Sequence, residues 1–179
     1  MATIAGTGAG DRMHELFITG LKNAHAMEKQ ALSIMTPQMQ RIEHYPEVAE
    51  RLREHIAETN DQIVRIDEIL DALNERASAL KDTMLGVAGE LAAVGHSFAG
   101  DEILKNSFAN YAFEHFEMAS YKSLITLSET SGLERFRTAL EQNLREEEAM
   151  AQWIDQSLPL VTRRYAQLYT QEGAKAAKV

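Results

Sequence analysis

Five glutamates on four separate stretches of the chain, with one histidine beside them, are the residues whose types and spacing bear on chemistry: Glu28, His55 with Glu58, Glu114 with Glu117, and Glu147. Successive residues of an α-helix turn by about 100°, so Glu114 and Glu117 fall on one side of a helix, in a row with Tyr111, Met118 and Tyr121. Glu28 is centred on the row Leu21, Ala24, Ala31, Leu32 and Met35, and Glu147 on the row Phe136, Leu140, Asn143, Met150, Ala151 and Ile154. Glu146 and Glu148 point elsewhere. His55, Glu58 and Gln62 lie along one margin of an apolar stripe. For Glu58, flanked by Arg51, Glu54, Asp61 and Arg65, a solvated ion pair is as well supported as a ligand role. A carboxylate on an apolar stripe is costly to bury unless a cation or hydrogen-bond donors meet it. The chain has no cysteine, so a metal ion would be held by oxygen or imidazole.

Four long helices must position these groups. The first is expected over residues 11–36, with Asp11 as N-cap and Pro37 closing it, because the residue before a proline is pushed out of helical geometry. The second begins at Pro46, a residue suited to the first helical turn, and its pattern continues to Ala79. A short helix over 82–94, bounded by Gly95 and Gly100, reads as a cross-over that lets the second and third long helices run parallel. The third spans 101–130. The run Ser131-Gly132-Leu133-Glu134 has the form of a capping box ahead of the fourth helix. Pro159 is expected to open a final helix that ends at Gly173 and carries Leu160, Val161, Tyr165, Leu168 and Tyr169 along one edge. Such an edge caps the bundle or packs on a second copy.

These elements define one domain over 11–172, between a loose tail at 1–10 and another at 173–179. The fold class is all-α, a four-helix bundle of the ferritin-like kind with a long cross-over and a C-terminal helix. The core of such a bundle can house a two-metal carboxylate site, to which imidazole adds neutral donors. Composition agrees: of the 179 residues 45% are hydrophobic and only three are proline. The formal net charge of -9 argues against a nucleic-acid footprint and against docking on an anionic membrane. No apolar run approaches the ~20 residues that cross a bilayer. A cytoplasmic protein with metal ions and other protein chains as partners is the expectation.

The stretch Ala26-Met27-Glu28-Lys29-Gln30-Ala31-Leu32, then His55-Ile56-Ala57-Glu58-Thr59 with Gln62 and Ile63, then Glu114-His115-Phe116-Glu117-Met118-Ala119-Ser120-Tyr121, and finally Glu146-Glu147-Glu148, resembles the bacterial YciE/YciF group of ferritin-like stress proteins. The resemblance covers residues 13 to 157. It implies a dimeric, metal-capable helical bundle linked to stress responses. The chain departs from the usual Glu-x-x-His pattern: Asp61 stands three residues after Glu58, and Met150 three after Glu147. Positions where the group often carries acidic or histidine residues hold Ala57, Asn60 and Ala151. His55 and His115 are the alternative sources of imidazole.

Two functions follow. In the first, two iron or manganese ions are held by Glu28, Glu58, Glu114, Glu117, Glu147 and His55, with Tyr111 or Tyr121 as hydrogen-bond donor or electron source. In the second, a metal-free homodimer serves as a structural or interaction module, and its core glutamates are protonated, because burial of like charges raises their pKa. No nucleophile, phosphate loop or triad supports a hydrolase or transferase.

Overall fold

Helix α1 runs Thr7–Arg41, α2 Pro46–Ala72, α3 Glu102–Thr130 and α4 Arg137–Glu172, with one turn of 3-10 helix, Glu134–Phe136, leading into α4. The computed structural model describes residues 7–76, 100–173, 177 and 179, and no strand occurs among them. The expected helix over 82–94 lies outside the described residues.

Side-chain contacts set the directions of the helices. Lys22 of α1 pairs with Glu75 just beyond α2, and His25 faces Asp67, so α1 and α2 are antiparallel. At the other end Arg41 of α1 pairs with Glu102 at the start of α3, while Tyr121 further along α3 reaches back to Glu28. α3 is therefore also antiparallel to α1 and runs in the direction of α2. α2 and α3 lie diagonally across the bundle, each packed against α1 and α4, and two parallel helices joined by a long connection are the ferritin-like arrangement.

The stops of α2 and α3 share one physical device. Asn74 adopts φ 58°, and the N–H groups of Asn74 and Glu75 donate to the carbonyls of Asp71 and Leu70 at 3.0 and 2.9 Å. This is a Schellman motif with asparagine in the left-handed position, and it ends α2 seven residues before the expected Ala79. After α3, Gly132 at φ 72° plays the same part, with Leu133 N–H donating to Ser128 O at 2.8 Å. Ser131 is consequently turned backwards: its Oγ donates to Leu127 O at 2.7 Å, and no side chain caps the 3-10 turn or α4. The expected capping box does not form, because the left-handed glycine commits Ser131 to the preceding helix.

Both inner prolines are carried within helices. α1 continues through Pro37 to Arg41, where Gln38 accepts a hydrogen bond from Asn110 and Arg41 holds Glu102. α4 continues through Pro159, so the segment expected as a helix of its own is helical as an extension of α4. Buried Val161 and the bonds from Arg164 to His44 O and from Tyr165 to Gly100 O hold it there. These contacts offset the lost N–H bond and the ring clash of an interior proline, about 3 kcal/mol. Asp11, expected as a cap, lies inside α1. In the segment expected as a loose tail, Ala177 O accepts from Tyr45 and Val179 O from His44 N–H.

The apolar stripes meet in a core of Phe17, Leu21, Leu52, Ile66, Leu70, Ile103, Tyr121, Leu140 and Met150. α1 and α3 approach closely at Gly20, where an added Cβ would stand 2.7 Å from Leu124 Cδ2. That atom is the end of a flexible side chain, so overpacking costs about 1–3 kcal/mol, against a helix-propensity gain of about 1 kcal/mol. Gly20→Ala is expected to lower stability by about 1 kcal/mol in urea unfolding, and a gain would contradict this packing. No helix among the described residues is long and apolar enough to cross a membrane.

Candidate metal centre

Midway along the bundle each helix turns a polar side chain into the core. Glu28 of α1, His55 of α2, Glu114 and Glu117 of α3 and Glu147 of α4 are all buried, none more than 1% exposed. Each occupies the helical register of its neighbours on the apolar stripe, so the packing that forms the bundle also forces these groups inward. On α3 the buried row is Asn110, Phe113, Glu114, Glu117, Tyr121 and Leu124; Tyr111 and Met118, expected in it, sit at its margin.

One ligand atom from each of His55, Glu114, Glu117 and Glu147 lies within 4.8 Å of the others. Glu28 sits beside this group, its Oε1 accepting a hydrogen bond from the buried Tyr121 hydroxyl. Glu58 is placed differently: its carboxylate is one-third exposed and outside the group, where Oε2 accepts from His55 Nδ1 at 2.8 Å and from Arg51 at 3.0 Å. His115 is exposed on the outer side of α3, edge-on to the Tyr111 ring.

The contact with Glu58 decides how His55 faces the core. Hydrogen bonds from His55 and Arg51 pull the Glu58 carboxyl down to about 2, against the smaller opposing effect of burial, so it is an ionised acceptor at neutral pH and Nδ1 carries the proton. Nε2 then points inward, 3.3 Å from Glu114 Oε2 and 3.4 Å from Glu147 Oε2. A carboxylate on one ring nitrogen with the other aimed at a ligand cluster is the arrangement that orients metal-binding histidines. Glu58→Ala is therefore expected to weaken manganese(II) binding about 10–100-fold while leaving the bundle folded. Calorimetric titration checks this; an unchanged affinity would remove Glu58 from the account.

A further polar layer holds the carboxylates. Gln62 Nε2 donates to Glu147 Oε1 and, at 3.1 Å, to Glu146 Oε2. Asn143 Nδ2 donates to the Tyr121 hydroxyl at 2.9 Å, and Arg65 donates to Asn143 and, through NH2, to both oxygens of Glu146 at 2.9 Å. Arg65 and Asn143 were not legible as parts of a site, although Asn143 stands one helical turn before Glu147 on the same stripe.

Glu28 Oε2 and both oxygens of Glu117 are buried without a hydrogen-bond partner, while Glu114 Oε2 and Glu147 Oε2 have the His55 imidazole as their ion-pair contact. Burial lifts the Glu28 and Glu117 carboxyls well above the usual range, and neighbouring carboxylates, Glu147 for the first and Glu28 for the second, lift them further. Burial likewise raises Glu114, to about 8, against the opposing pull of His55. Burial would lower His55, but Glu114, with Glu147 and Glu58, outweighs it and holds the imidazolium well above its ordinary value. Glu147 is depressed: burial is overcome by its contacts with His55, Glu114 and Gln62. Orphaned, mutually repelling oxygens around one aimed imidazole fit a divalent cation, which supplies the missing charge.

Fold and site together define an all-α, ferritin-like bundle with a buried carboxylate and imidazole cluster. The chain belongs to the family described as domain of unknown function DUF892, whose model matches residues 12–167. It is 29% identical over 141 residues to protein YciF of Escherichia coli strain K12, covering 76% of this chain and 84% of that one. Among solved structures it is similar to the E. coli stress protein YciF, with a TM-score of 0.70 at 26% identity over 82% of this chain and 94% of that one. It is also similar to a protein of Xanthomonas campestris pv. campestris, with a TM-score of 0.75 at 28% identity over 89% of this chain and 99% of the other.

Proposed function

We propose that this chain is a two-metal carboxylate protein that holds iron or manganese in the bundle core. The observation that carries the reading is a buried cluster in which Glu114 and Glu147 face His55 Nε2 while Glu28 Oε2 and both oxygens of Glu117 have no hydrogen-bond partner. When deprotonated, the four buried carboxyls of Glu28, Glu114, Glu117 and Glu147 bring four negative charges, which two divalent ions balance without protons. Such ions would supply Lewis acidity and one-electron redox capacity toward dioxygen or peroxide. The chain's own residues exclude water, orient His55 through Glu58, and hold Glu147 through Gln62 and Glu28 through Tyr121.

The similarity to a protein described as a stress protein supports a role in stress response. A cytoplasmic homodimer is part of the same proposal, with Phe108 and Phe116, exposed on α3, as surface that a second copy would cover.

The alternative is a metal-free scaffold, favoured by the raised carboxyl pKa values of Glu28, Glu114 and Glu117, which let protons take the place of cations. Metal analysis of protein produced in medium supplemented with iron and manganese separates the two. Stoichiometric metal in the natural chain, reduced in Glu28→Ala and lost in Glu147→Ala, is the expected result, and folded protein without metal in all three favours the scaffold.

A further inference from the structure

The cluster is not symmetric. α3 serves as a ruler: Glu114 meets His55, Tyr121 two turns later meets Glu28, and Glu117 lies between them on the same face. His55 and Glu28 therefore stand at opposite ends of the cluster. At the first end the donors are an imidazole nitrogen and the Glu114 and Glu147 carboxylates, with Nε2 3.3 and 3.4 Å from their oxygens. At the second end stands Glu28 Oε2, buried and unpartnered, with the oxygens of Glu117 between the two ends and one of them within 4.8 Å of the His55 group; Tyr121 fixes Glu28 by occupying its other oxygen. His55 is the only histidine in the ligand group among the described residues, and His115, which would be needed to equalise the two ends, faces away.

Building on the metal-binding reading above, we infer that the two ion positions are chemically unequal. One is made by His55 and Glu114 and takes an imidazole-accepting ion such as iron(II). The other is made by Glu28 and Glu117 from oxygen alone and takes a hard ion such as manganese(II), with Glu147 shared between them. Imidazole discriminates in favour of the later divalent ions, whereas a carboxylate set suits manganese and magnesium. A mixed pair is then the preferred filling when both metals are supplied.

The test is an oxygen-free titration of metal-free protein with cobalt(II), followed by its visible absorption, and with manganese(II), followed by electron paramagnetic resonance. The natural chain, His55→Ala and Glu28→Gln are compared, and circular dichroism of each metal-free form verifies folding. His55→Gln takes the place of His55→Ala if the latter does not fold. The natural chain is expected to bind two ions in separable steps. The His55 variant should weaken the tighter cobalt(II) step roughly tenfold or more while retaining one manganese(II), and Glu28→Gln should lose the weaker step while retaining the first. Loss of both ions in both variants, or equal weakening of the two metals in each, overturns the inequality of the positions. A natural chain that takes up neither ion overturns the metal-binding reading itself.

Discussion

Adding manganese(II), or iron(II) without oxygen, to the metal-free protein should raise its thermal midpoint by roughly 8–16 °C. An ion that binds only the folded chain stabilises it by about 4 kcal/mol when present at about a thousand times its dissociation constant. For a chain of this size each kcal/mol moves the midpoint by about 2–4 °C. The source of the effect is specific. Folding buries Glu28, Glu114, Glu117 and Glu147 side by side, with oxygens of Glu28 and Glu117 unpartnered, so the metal-free fold carries a penalty that the ions remove. Glu117→Gln should reduce the increment, since it removes a carboxylate whose oxygens are buried without a hydrogen-bond donor. Differential scanning calorimetry with and without metal checks this, and an increment unchanged in Glu117→Gln would contradict the assignment.

The second large effect is on the metal-free form, whose stability should fall by several kcal/mol as pH rises from about 4.5 to about 8. Burial and like-charged neighbours raise Glu28 and Glu117 well above the usual range and burial raises Glu114 to about 8, so the folded chain keeps protons that the unfolded chain releases above ~4.5. The stability these groups contribute is complete below the unfolded value and is lost as pH climbs through the folded one. His55 acts with the same sign, because its folded value is also raised. Glu58 acts oppositely, but its contribution is lost only as pH falls from the ordinary value toward about 2, outside this window. In the metal-loaded form the order reverses, since cations require deprotonated ligands and bind better as pH rises. Replacing Glu117 by glutamine should flatten the slope of the metal-free form and raise its stability at pH 8. Chemical denaturation across this range reads both, and a metal-free protein that gains stability between pH 5 and 8 would contradict the burial of these groups as carboxylic acids.

The inward placement of Glu28, Glu114, Glu117 and Glu147 was legible because each replaces one member of an apolar series with a 3.6-residue period. What Glu58 does was not. A glutamate three residues after His55 on a stripe margin has the spacing of a ligand and equally of a hydrogen-bond partner for Nδ1, and only the tilt of side chains along α2 separates them. Helix ends depart from the expected positions where tertiary contacts override local preference. Pro37 and Pro159 stay inside helices because the residues beyond them are anchored across the bundle, by Arg41 to Glu102 and by Arg164 to His44. Asn74 ends α2 through a left-handed conformation that neither its neighbours nor the apolar period announces. Ser131 and Glu134 have the right spacing for a capping box, but Gly132 turns the chain between them.

The most direct test is diffraction from crystals grown with manganese(II) and iron(II), with data recorded at the absorption edges of both metals. The account predicts two anomalous peaks inside the bundle, one ligated by His55 Nε2 and both in contact with Glu147. Crystals whose core holds no peak, with these carboxyls hydrogen-bonded to one another instead, would contradict it.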